Sequence, residues 1–256
     1  MNARLAAALL ALAAVAPGAD ARHADERQAA RDTEFDRLRL VNAGHDRGAT
    51  ALGLHFGYVE ADTRPSEGAY VCGALRRDEA EAAATTVAGA LSNLPDAALA
   101  RLRLRYVVLC GGATEFGRSI GGIPVAPLDL LMLDASGDGA SLQHRTLHEL
   151  YHLLEYRFGG ISDAEWAGQF GGGYSNAYPG LLRKAPLGSG RPGFVTSYGE
   201  THPHEDRAEL FAWLVLAPRE VAGLIQRTGD AVLRRKAEFL SDKCQRVIGL
   251  QIALPP

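Results

Sequence analysis

At 256 residues, 47% apolar and 22% charged, the chain is long enough to bury one sizeable core and has the composition of an ordinary globular protein. A net charge of −3, with no basic run interleaved with aromatics, argues against nucleic acid as a partner and against binding to an anionic membrane surface.

The N-terminus reads as a secretory signal peptide over residues 1–21. Arg4 precedes an apolar run over 5–15, then come Pro17-Gly18 and the small-x-small end Ala19-Asp20-Ala21. The run is too short to span a membrane comfortably, and no second long apolar stretch follows. The mature chain is therefore expected to be secreted or periplasmic, with no stable membrane anchor. Residues 22–48 are charged and poor in apolar side chains, which predicts a loose or helical leader ahead of a folded domain over 49–256. Export also bears on Cys72, Cys110 and Cys244, which allow one disulfide in three pairings. Cys72–Cys110 is favoured because each lies in a strand-like run, with buried free thiols as the alternative.

In chain order, 51–59 reads as a strand with aromatic and glycine interruptions. An Ala-rich helix follows over 76–91, stopped by Ser92-Asn93 and Pro95. Residues 101–110 alternate Arg with Leu and then turn fully apolar, as a strand entering a core does. A further strand is predicted over 128–133. The next helix starts near Ser141, where Asp138 offers a cap, and ends at Gly159-Gly160, with Leu147, Leu150, Leu154 and Phe158 as its apolar stripe. The glycine-rich stretch 159–193 is long for a plain connector and reads as a functional wall or lid. Its Trp166, Tyr174 and Tyr178 would either line a cleft or serve as packing. Helices resume over 204–216, and again from 219 towards 247. The whole reads as α+β, a small mixed sheet beside a C-terminal helical lobe.

The chemistry concentrates in Thr146-Leu147-His148-Glu149-Leu150-Tyr151-His152, an H-E-x-x-H motif. Residues four apart share a helix face, so both imidazoles reach one ion. Glu149 is rotated away from the ligand pair but close enough to take a proton from water. His144 and His152 lie about 12 Å apart along the axis and cannot share one zinc, so His144 reads as peripheral. A catalytic zinc needs a third protein ligand and an open position. The metzincin extension is excluded, because Glu155 and Phe158 stand where it needs Gly and His. Downstream, Glu205 and Glu209 are four apart on a predicted helix, so one can bind metal while the other orients a ligand histidine.

H-E-x-x-H followed by E-x-x-x-E resembles the gluzincins, the thermolysin-type zinc peptidases. The run Thr196-Ser197-Tyr198-Gly199-Glu200-Thr201, then E-x-x-A-E and an aromatic, is closer still to the anthrax lethal factor catalytic domain family and related bacterial zinc-binding peptidases. The resemblance spans roughly residues 120–216 and is sharp at the two motifs. It implies a zincin-like fold, Zn²⁺ as cofactor held by His148, His152 and Glu205, and Glu149 as general base. It also implies that Glu209 supports a ligand histidine and that Tyr198 lies beside the metal as proton donor or oxyanion partner. The expected activity is hydrolysis of a protein or peptide substrate. Two alternatives stand beside it: a secreted zinc-binding protein without catalysis, and an aspzincin with Asp206 as third ligand. The first is disfavoured because Glu149 is not needed to hold metal.

Overall fold

The computed structural model describes residues 39–41, 53–62, 70–176 and 185–252. The signal segment, most of the leader, Tyr178 and the start of the 51–59 strand lie outside them. The chain divides into two compact units, residues 1–89 with 103–142, and 90–102 with 143–256.

The first unit is built on strands. Its larger sheet has the order β1-β2-β4-β8-β7, comprising Arg39–Val41, His55–Tyr58, Tyr106–Cys110, Leu130–Asp134 and Gly122–Val125. The central strands β2, β4 and β8 are parallel, while β1 and β7 run antiparallel at the two edges. Parallel neighbours need long connections, and the chain between β2 and β4 carries helices α1 (Arg77–Leu91) and α2 (Asp96–Leu102). All five residues of β4 and of β8 are buried, which is why both read in the sequence as continuous apolar runs. A small antiparallel sheet, β3-β5-β6, is formed by Tyr70–Cys72, Ala113–Glu115 and Arg118–Ile120.

Two expectations are corrected here. Residues 101–104 were expected in a strand, but 96–102 is helix and Arg103 takes a left-handed φ of 56°, so β4 starts only at Tyr106. The Arg-Leu alternation mimics a strand because the last turn of a short amphipathic helix can show period two by chance. Within the leader, Arg39–Val41 is neither loose nor helical; it pairs with β2, Arg39 opposite Tyr58. The β5–β6 hairpin was not foreseen either.

Cys72 ends β3 and Cys110 ends β4, and they form the favoured disulfide, with Cα atoms 4.9 Å apart. Directly beyond them Gly111 N–H donates to Gly73 O at 2.8 Å. A Cβ at Gly111 would meet Ala74 O at 2.0 Å, so only glycine allows this crossing. The bridge closes a sequence separation of 38 residues, for which loop closure is worth about 3–4 kcal/mol. A Cys72→Ala/Cys110→Ala variant should lose about that much in urea titrations, and the loss should match the effect of reductant on the wild type. Cys244 is buried and unpaired with another cysteine.

The second unit is helical: α2, residues 143–158 of α3 (Gly139–Phe158), α4 (Asp163–Phe170), α5 (Pro203–Leu216), α6 (Pro218–Thr228) and α7 (Ala231–Ile248). The helical span expected from 219 towards 247 consists of two helices. Gly229 takes φ 65° as the C-cap of α6, and Asp230 then caps α7 through Val232 and Leu233 N–H. Asp138 does cap α3, its carboxylate accepting from Ser141 N at 2.8 Å. Part of the glycine-rich stretch is helical: Ser162 and Glu165 form a capping box that starts α4. Among the described residues no helix is long and apolar enough to cross a membrane.

Candidate metal centre

Helix α3 turns Leu147, Leu150 and Leu154 into the interior, while Phe158, expected in the same stripe, is 41% exposed. One turn apart on this helix, His148 is fully buried and His152 is partly exposed. Helix α5 brings the third member. Pro203 at its start fixes the entry, and residues 205–214 are all buried, so each charged side chain among them has to meet a partner.

Glu205 Oε2 lies 2.9 Å from His148 Nε2 and 3.6 Å from His152 Nε2, and the two nitrogens are 3.1 Å apart. Among the described residues these three form the group able to hold a metal ion. Ligands about 2.0–2.1 Å from a tetrahedral zinc are separated from one another by about 3.3 Å, so the spacing suits zinc. The alignment points the same way. Glu205 Oε2 is buried, and the nearby imidazole nitrogens give it no well-aligned hydrogen bond. His148 Nδ1 lies 2.9 Å from Glu209 Oε1; a carboxylate can only accept, so the proton sits on Nδ1 and the Nε2 lone pair faces the other two atoms. Electron pairs converging on one point call for a cation. Without metal a proton serves instead: burial alone would lower the His148 imidazole, yet Glu205 and Glu209 hold it well above the usual range. Burial would likewise raise Glu205, but His148, His152 and His204 hold its carboxyl well below the usual range.

Glu209 sits where a partner of the ligand histidine was expected, and two neighbours absent from that expectation complete its surroundings. Thr196 Oγ1 donates to Glu209 Oε2 at 2.7 Å, and His144 Nε2 lies 3.5 Å from Glu209 Oε1. Burial pushes the Glu209 carboxyl up, but the charge of His144 and the bonds from His148 and Thr196 bring it below the usual range. His144 is thus not peripheral but 1% exposed, packed on Trp213 at 5.3 Å between centroids. Thr196 had no assigned role; nothing local in a T-S-Y-G run reveals a bond across 13 positions. Thr196→Val should weaken zinc binding about tenfold, measured by chelator competition, because outer hydrogen bonds orient metal ligands.

Glu149 is 3% exposed, and burial raises its pKa although His148 and His152 pull it down. Tyr198 packs edge-on to the His148 ring at 5.9 Å; burial, then the charges of Glu205 and Glu149, raise its phenol pKa. The six predicted residues therefore gather around one point.

Asp206 does not join them. Its Oδ2 accepts from Lys236 Nζ at 2.7 Å, Trp166 Nε1 at 2.8 Å and Tyr174 OH at 2.8 Å. This removes the geometric basis for Asp206 as third ligand. It also assigns Trp166, which is fully buried, and Tyr174 to packing around a buried carboxylate. Lys236 also donates to Gly193 O at 2.7 Å, so it pins the glycine-rich stretch to α7 and α5 together.

In overall architecture the chain is similar to a "putative zinc-binding metallo-peptidase" from Bacteroides caccae, solved by crystallography at 2.10 Å. The two are 13% identical, with a TM-score of 0.53, over 93% of this chain and 91% of that one. No family model matches the chain, and no curated protein does. The likeness is one of fold: the chain has a zinc-metallopeptidase-like α+β architecture with a C-terminal helical region.

Proposed function

We propose that the chain is a secreted zinc-dependent peptidase of gluzincin type, with His148, His152 and Glu205 as metal ligands and Glu149 as general base. The observation that carries this reading is the convergence of three ligand atoms at zinc-like spacing, with a buried glutamate on the same helix that is not one of the ligands. The signal-like N-terminus and the Cys72–Cys110 disulfide favour an oxidising, exported location. The T-S-Y-G-x-T and E-x-x-A-E motifs favour a relation to the lethal factor family.

Zinc held there supplies Lewis acidity, polarising a scissile carbonyl and easing removal of a proton from water. Glu149 takes that proton, and its burial suits it, since a carboxylate of raised pKa is a stronger base nearer neutral pH. The same carboxyl then delivers the proton to the leaving amine. Tyr198, whose raised pKa keeps its phenol protonated, donates a hydrogen bond to the developing oxyanion or leaving group. Glu209, steadied by Thr196, keeps His148 in the orientation that leaves Nε2 free to ligate. Hydrolysis of a casein-type substrate by the purified chain tests the reading. Activity should vanish with a zinc chelator and return with added zinc; activity indifferent to the chelator would contradict it.

A further inference from the structure

Helix α5 places His204 next to Glu205, and its ring lies between two carboxylates. Nε2 is 3.4 Å from Glu205 Oε1, the oxygen that does not face the metal ligands, and Nδ1 is 3.4 Å from Asp163 Oδ2. The ring is stacked on His202 at 5.3 Å with 18° between planes, and it tilts against His152 at 5.9 Å. Asp163 is itself fixed. It is the first residue of α4, behind the Ser162–Glu165 capping box, and its Oδ1 accepts from Arg207 at 2.9 Å. Arg207 in turn is paired with Glu155 of α3 at 2.8 and 3.0 Å, one turn beyond His152. The orientation of Glu205 is thus tied through Asp163 and Arg207 to the helix that carries the other two ligands.

We propose that His204 is a positioning residue of the metal centre: anchored by Asp163, it holds Glu205 Oε1 outward so that the carboxylate offers the metal a single oxygen. This rests on the zinc reading above. The physical reason lies in the open position that a catalytic zinc requires. A glutamate free to rotate can add its second oxygen to the metal, which raises the coordination number and occupies the space that water and substrate need. An exposed ion pair does little for folding by itself, and the side chains of His204 and Asp163 are 31% and 50% exposed. Their effect should therefore fall on the metal rather than on stability.

The test uses the full chain as wild type, His204→Ala, His204→Gln and Asp163→Asn. Zinc affinity is measured by chelator competition at one pH, together with the visible spectrum of the cobalt(II)-substituted protein. His204→Ala should bind zinc about 10–100-fold more weakly, with a weaker cobalt band as coordination rises from four to five. His204→Gln, which can still donate to Oε1, should stay within about threefold of wild type, and Asp163→Asn should fall between the two. Melting midpoints of the metal-free variants should lie within about 2 °C of wild type. A His204→Ala chain with wild-type affinity and spectrum overturns the proposal, as does one whose metal-free stability falls in step with its affinity. A wild type that takes up no zinc overturns the zinc reading itself, and this proposal with it.

Discussion

Glu149→Gln is expected to lower kcat on a peptide substrate by about a thousandfold while the chain keeps its full complement of zinc. The substitution preserves shape at a site that is 3% exposed, so packing is undisturbed. It removes a buried carboxylate that is neither among the three converging atoms nor, like Glu209, bonded to a ligand histidine. A base that acts only in the transition state should leave KM nearly unchanged. Steady-state kinetics with metal analysis on the same sample checks this. Loss of zinc along with activity would make Glu149 a ligand or a structural residue instead.

The largest expected effect on stability lies one residue beyond Glu205. Asp206→Ala should cost about 3–5 kcal/mol, because it strands the buried ammonium of Lys236, 1% exposed, without its counter-charge. It also removes the acceptor of Trp166 Nε1 and Tyr174 OH. Against a total stability of roughly 5–15 kcal/mol, that is enough to leave the variant partly unfolded at 37 °C. Adding Lys236→Met should recover most of the loss, since a buried ion pair can often be exchanged for apolar side chains at little cost. At temperatures where the single variant is folded it should still bind zinc. Glu205→Gln should instead lower zinc affinity by about a hundredfold or more, because it removes one of the three converging ligand atoms. Equilibrium urea unfolding of the four metal-free chains, with zinc titrations alongside, separates an Asp206 framework role from a ligand role.

How much of this was legible in the sequence depended on distance along the chain. His148, Glu149 and His152 are readable because a helix converts a spacing of four into one face, and Glu205 and Glu209 are readable for the same reason. What joins the two helices is not readable from either segment alone. Thr196 meets Glu209 across 13 positions, Asp163 meets His204 across 41, and Lys236 meets Asp206 across 30. Such pairs are set by the packing of α4, α5 and α7, and nothing in local spacing announces them. Some boundaries inside the predicted spans do carry local signals. The Gly229-Asp230 pair is a helix stop followed by a helix start, and Ser162 with Glu165 is a capping box inside a stretch that reads as a loop. Residues 101–104 carry no such signal, because a short helix and a strand entrance share the same alternation there.

Bound metal, by elemental analysis of the purified chain and of His152→Ala, decides whether His148, His152 and Glu205 form a zinc site. The arrangement of His148, His152 and Glu205 predicts about one zinc per wild-type chain and almost none in the variant, with both still folded. A wild type that carries no zinc and takes up none when it is offered would contradict the account.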